Sequence, residues 1–226
     1  MTDDNTNQKK QKSKWATSYS KMTIPEAEDR LGIALALRGT PVKTMLEGKS
    51  INAGKEGILQ VKEKVYDSLV RQIEIEGYPT EADPDFKEAN ITDLVILIMH
   101  PILRYFRQQT GRDLHLRREK EIVAVDFATG GMEEFKRKRF LLEARKQCFL
   151  LLKDMRDNNG GGSVYGFITT GDSWRIVSYD GTFQMSEKME ILFDTMDDDK
   201  ERWMKDYSIL VDCIYAALSH GGIADS

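Results

Sequence analysis

The sequence predicts an α+β (mixed α/β) fold: a small sheet flanked by helices, preceded by a helical N-terminal extension. Three observations carry that prediction. Several long segments repeat apolar residues at three- and four-residue spacing. Two β-rich runs, VYGFIT (164–169) and WRIVSY (174–179), flank the turn TGDS. The element order is helices first, then α-β-β-α-β-β-(β)-α, without internal repeats. The stretch from Gly130 to Gly181 holds strand end, amphipathic helix, glycine loop and hairpin in succession, and the rest of the chain is arranged around it.

Residues 1–20 are polar and basic, with Lys9, Lys10, Lys12 and Lys14 close together, and are expected to form a disordered tail. Residues 23–77 are expected to form the helical extension. Thr23 precedes PEAEDRLGIALALRG, where Pro25 suits a first turn, Glu26 and Glu28 suit the positive end of a helix dipole, and Gly39 offers a stop. A short helix is expected in PVKTMLEGK, and Ile58, Val61, Val65, Leu69 and Ile73 mark a helix over 57–76 that stops at Gly77. Residues 78–90, with two prolines and many acids, read as a linker to a core over 91–220.

Asn90 is placed to cap a helix whose apolar face is Ile91, Leu94, Val95, Ile98, Ile102 and Tyr105, with Pro101 inside and Gly111 as the stop. RDLHLRREKEIVAVDF then alternates like a strand, ATGG turns, and MEEFK reads as a short return strand. From Phe140 through Leu141, Ala144, Cys148, Leu151, Leu152 and Met155 the period is helical, and Asn158 to Gly162 ends it. After the hairpin, 182–193 reads as one more strand. Asp197 to Asp199 caps a final helix whose stripe is Trp203, Tyr207, Leu210, Val211, Ile214 and Leu218.

Of the 226 residues 40% are hydrophobic and 31% charged, enough for a core and a wetted surface. A net charge of −4 excludes a polybasic coat, so any nucleic-acid contact comes from local patches. The two cysteines, Cys148 and Cys213, fall on apolar helical stripes and read as reduced core residues. The N-terminus has no secretory apolar run and Leu94 to Leu103 is too short to span a bilayer. The expectation is an intracellular protein, cytoplasmic or nuclear, with no membrane contact.

Chemistry concentrates at one junction. Asp126 ends the first expected strand, and Glu134-Phe135-Lys136 ends the second, with Glu134 and Lys136 on one strand face. Carboxylates there could hold Mg²⁺ or Mn²⁺, which lowers the pKa of a bound water, while a lysine positions that water. Arg137, Lys138, Arg139, Arg145 and Lys146 follow and are candidates for phosphate contact; a nuclear-import signal is the other reading of the KRKR run. A solvated, charged strand edge is the bland alternative for the triplet. His100, His115 and His220 are scattered over different elements, Gly160 to Gly162 lacks the lysine of a phosphate loop, and Trp174 and Tyr179 read as core.

On LRREKEIVAVDFATGGMEEF, ARKQCFLLLKDMRDNNGGG, VYGFITTGDSWRIVSYDG and WMKDYSILVDCIYAALS, the chain resembles the PD-(D/E)XK nuclease superfamily, in its fungal-type branch, over roughly residues 90–220. The resemblance implies a restriction-endonuclease-like sheet and a metal-dependent nuclease that hydrolyses phosphodiester bonds in DNA or RNA. It implies Asp126 and Glu134 as metal ligands, Lys136 as the water-positioning group and Gln147 as a site-facing glutamine on the following helix. Two departures stand out. Glu134 follows Gly-Gly-Met-Glu instead of an apolar strand, and the second acid-x-base triplet, Glu143-Ala-Arg145, has arginine in the lysine position and a helical period. The alternative is a degenerate nuclease fold that binds nucleic acid or protein without cutting. A third reading, weaker, makes 23–77 a helical partner-binding segment.

Overall fold

A computed structural model describes residues 18–49, 54–78, 88–112, 114 and 141–221. The described chain is α+β: four short antiparallel strands packed between helices. The helices are α1 (Ile24–Leu31), α2 (Val42–Leu46), α3 (Lys55–Glu76), α4 (Glu88–Thr110) and α5 (Leu141–Asn158). Strands β1 (Val164–Thr169), β2 (Ser173–Tyr179), β3 (Phe183–Met185) and β4 (Met189–Glu190) come next. Last are α6 (Lys200–Arg202), a π-helical turn (Trp203–Tyr207) and α7 (Ile209–His220).

β2 is the centre of the sheet. β1 pairs along its whole length, with Ile168 opposite Arg175, and β3 and β4 pair with its two ends on the other edge. The single strand expected over 182–193 is therefore split. Between its halves, buried Ser186 takes over the pairing: its backbone N–H donates to the Ile176 carbonyl and its hydroxyl accepts from the Ile176 N–H at 3.0 Å. Thr40 lies beside Ser186 in a parallel bridge and extends that edge.

Strand alternation sends side chains to two faces. Val164, Ile168 and Val177 face a core shared with Phe149, Leu150 and Leu152 of α5 and Ala27 and Leu35 of the α1 region. Ile176, on the other face, packs against Cys213 and Ala217 of α7 and Met45 of α2. Trp174, also on that second face, joins a larger core with α3, α4 and α7. Its indole N–H donates to the Gly171 carbonyl at 2.9 Å, so Trp174 is core, as its spacing suggested. Cys213 is fully buried, which pushes its thiol up to about 12, and neither Cys148 nor Cys213 is joined in a disulfide.

The boundary expected at 78–90 does not separate two cores. Ile58, Val61, Val65, Leu69 and Ile73 of α3 pack with Ile91, Leu94, Ile98 and Ile102 of α4 and with Leu210, Val211 and Ile214 of α7. The Lys62–Asp212 ion pair at 2.7 Å and the Trp203 indole N–H donating to the Lys62 carbonyl at 3.0 Å tie α3 to the C-terminal end. Burial holds the Asp212 carboxyl above its ordinary range even with Lys62 beside it. One helix, at 89–110, is long and apolar enough by length and composition to cross a membrane; here its apolar face fills this core.

Four further expectations change at element ends. α1 stops at Gly32, not Gly39, because Gly32 adopts φ 69°, a left-handed cap whose N–H donates to the Glu28 carbonyl. The apolar run after it is not helical, and its Leu35 N–H donates to the Glu28 side chain at 2.8 Å. α4 begins two residues before Asn90, whose side-chain amide instead donates to Glu76 at the end of α3. Asp199 does cap, but of a three-residue helix that passes into a π turn before α7.

The basic tail expected over 1–20 ends sooner than that. Tyr19 is buried, and its hydroxyl donates to the carboxylate of Asp154 on α5. Arg30 of α1 donates to the same carboxylate at 2.8 Å, with both side chains 2% exposed or less. Removing one member of a buried pair strands the other charge and costs about 3–5 kcal/mol. Asp154→Ala is therefore expected to lose roughly that much in urea unfolding, well beyond the ±0.5 kcal/mol of a surface change. A loss below about 1 kcal/mol would show that the contact is dispensable.

Candidate anion site at the start of helix α5

Helix α5 carries every described residue of the expected junction. Asp126, Glu134, Lys136, Arg137, Lys138 and Arg139 lie outside the described residues. Arg145, Lys146 and Gln147 lie within them, and they point to three different places.

Lys146 is not available to a phosphate. Its side chain is 2% exposed, its ammonium donates to the Met22 carbonyl at 2.5 Å, and it pairs with Glu143 at 2.6 Å. The reason is the helical period: Lys146 shares its stripe with buried Leu150 and with Asp154, the stripe that meets the α1 region. Burying an ammonium requires paired partners, and Lys146 has two. The expected phosphate contact at Lys146 is thereby corrected to a structural one.

Gln147 is half-buried, one turn beyond Glu143 on the flank that also carries Asp154. At about 100° per residue, it points about 200° away from Arg145. The two do not converge on one cleft.

Arg145 lies on the other flank, toward the sheet, where Cys148 and Leu152 pack. It is half-buried, and its Nε is enclosed without a hydrogen-bond partner. Burial first, and the neighbouring Arg175 second, lower its pKa. A guanidinium stays charged through such shifts, so Arg145 remains a partly desolvated cation beside a second one. Arg175 occupies the α5-facing side of β2, two residues before buried Val177. Its Nη1 donates to the Ser186 carbonyl at 2.8 Å, a neutral acceptor. Among the described residues no carboxylate pairs with either arginine.

Two like charges held together without a counter-charge are unfavourable in the free protein, and an anion between them relieves the repulsion. Arginine's planar donor fork suits phosphate oxygens in particular. Arg175 was not among the residues singled out from the sequence. The signal was there: alternation in WRIVSY puts one charged side chain on an otherwise apolar face.

No group of three or more His, Cys, Asp or Glu that could hold a metal ion occurs among the described residues. The described part of the site suits an anion, and Asp126 and Glu134, the expected metal ligands, lie outside the described residues. No family model, curated protein or solved structure matches the chain.

Because Arg145 is half-buried, with its Nε enclosed and no ion-pair partner among the described residues, its replacement by an apolar side chain of similar reach should not destabilise the protein. Arg145→Leu is expected to keep or raise the unfolding free energy, by up to about 1 kcal/mol. Added phosphate should raise the melting temperature of the wild type more than that of the variant. A variant clearly less stable than wild type would give Arg145 a structural role instead.

Proposed function

We propose that the chain is a nuclease-like domain that takes the phosphodiester backbone of DNA or RNA at the start of α5 and hydrolyses it with a divalent metal. The observation that carries this reading is the Arg145–Arg175 pair, two neighbouring guanidiniums that no described carboxylate neutralises, one on the helix that follows Asp126 and Glu134 in sequence and one on the strand beneath it. In this reading the pair holds a phosphate, Asp126 and Glu134 hold Mg²⁺ or Mn²⁺, and Lys136 orients the attacking water. The metal, when bound, supplies a water of lowered pKa and shields the phosphate's charge. The arginines contribute electrostatic stabilisation as charge builds on the phosphoryl oxygens. Gln147, on the opposite flank of α5, takes no part.

A second reading has its own support. What supports a binding module on a nuclease-like fold is the sequence's departure from the nuclease pattern: Glu134 follows Gly-Gly-Met-Glu instead of an apolar strand, and Arg145 stands in the lysine position of the second triplet.

One assay separates them: labelled DNA and RNA with purified protein in Mg²⁺ or Mn²⁺, beside Glu134→Ala, Lys136→Ala and Arg145→Ala. The nuclease reading expects metal-dependent cutting that falls at least about 100-fold in the first two variants. It expects weaker, less salt-sensitive substrate binding in the third. Binding without cutting, lost in Arg145→Ala, selects the binding module. Protein that is folded yet neither binds nor cuts overturns both readings.

A further inference from the structure

A second cationic site lies away from α5, in the cleft between α3 and α4. The cleft has a volume of about 320 Å³, and Val61, Pro101 and Tyr105 form its apolar floor. Its polar rim is Lys64 from α3 and His100, Arg104 and Gln108 from α4. The last three recur at i, i+4 and i+8, so one stripe of α4 presents all of them to the cleft.

Among the described residues the lining holds no acid: the chain has 37 Asp and Glu against 33 Lys and Arg, yet no described carboxylate lines this cavity. The positions three and four residues from Arg104 hold Pro101, Arg107, His100 and Gln108, so no helical ion pair can form there. Neither Lys64 nor Arg104 makes an ion pair with a described residue. The Tyr105 hydroxyl has no hydrogen bond among the described residues either. It lies so close to the first turn of α3 that a Cβ on Gly57 would come within 1.9 Å of it. The absence of a side chain at Gly57 is what lets the phenol sit there. Four donor side chains and a phenol thus line a cleft with an apolar floor, and neither Lys64, with Asp67 three residues on, nor Arg104 is engaged in an ion pair with a described residue.

We propose that this cleft binds a small phosphate monoester carrying a ring, of mononucleotide size. Lys64 and Arg104 answer the phosphate's charge from opposite walls, and Gln108 and the Tyr105 hydroxyl supply neutral hydrogen bonds. The ring lies on Pro101 and Tyr105. The volume is at the small end for organic ligands, which excludes a long strand lying in the cleft and fits one nucleotide. This site is independent of the arginine pair on α5 and β2.

The test is a titration followed by amide NMR, with adenosine 5′-monophosphate, adenosine and inorganic phosphate as separate probes. The nucleotide is expected to shift amides in 61–64 and 100–108, with inorganic phosphate weaker and adenosine alone without effect. Arg104→Ala and Lys64→Ala, both exposed and expected to fold, should each weaken nucleotide binding about tenfold. Arg145→Ala should leave the shifts in 61–64 and 100–108 unchanged. The proposal is overturned if the nucleotide shifts nothing at millimolar concentration, if adenosine binds as well, or if the two variants bind like wild type. Shifts confined to residues around Arg145 and Arg175 would overturn it equally.

Discussion

The carboxylate of Asp154 is the contact on which one half of the protein depends. It sits inside α5, 1% exposed, and receives the guanidinium of Arg30 and the hydroxyl of Tyr19 from a segment more than 120 residues earlier. Two turns before it on the same stripe, Lys146 donates to the carbonyl of Met22. These two buried charges of opposite sign fix the N-terminal segment along α5, and α5 in turn covers the sheet. Burying them is costly, and the cost is met only because each finds partners of suitable geometry. The consequence is register: an N-terminal segment shifted by one turn would leave Asp154 and Lys146 both unanswered.

That arrangement sorts the charges of α5 by flank. On the flank toward α1 the charged groups are satisfied, so Lys146 is structural although it lies in a basic run. On the flank toward the sheet, Arg145 is half-buried beside Arg175 with no counter-charge among the described residues. A basic residue held unfavourably in the free protein is the stronger mark of a binding site, because local strain of this kind is tolerated where a ligand relieves it. The α3–α4 cleft follows the same logic with weaker enclosure: its donors are exposed, and what sets it apart is an apolar floor with no carboxylate among its described lining residues.

Local signals in the sequence gave correct elements wherever period and stop agreed. The 57–76 repeat with Gly77, the Asn158 to Gly162 stop and the hairpin around TGDS all coincide with observed elements within a few residues. Errors arose where a distant contact overrode the local pattern. The periodic run after Leu31 is not helical because Gly32 takes the cap and the chain goes on to pair Thr40 with Ser186. The linker at 78–90 looked like a domain boundary, but composition cannot reveal that α3 and α4 share one core with α7. At the site, the spacing of Arg145, Lys146 and Gln147 defines three directions around a helix, yet which direction meets the sheet depends on Asp154 finding Arg30. Arg175 was missed because the alternation of WRIVSY does not by itself say which of its faces meets α5.

The central claim is that a metal held by Asp126 and Glu134 and the arginine pair of α5 and β2 belong to one site. Paramagnetic broadening of NMR signals by Mn²⁺ tests it most directly. The account predicts that Mn²⁺ broadens the signals of Arg145, Ile168 and Arg175 while those of the α3–α4 cleft stay sharp. It also predicts that Asp126→Asn combined with Glu134→Gln abolishes the effect. Broadening centred elsewhere, or unchanged in that double variant, would contradict it.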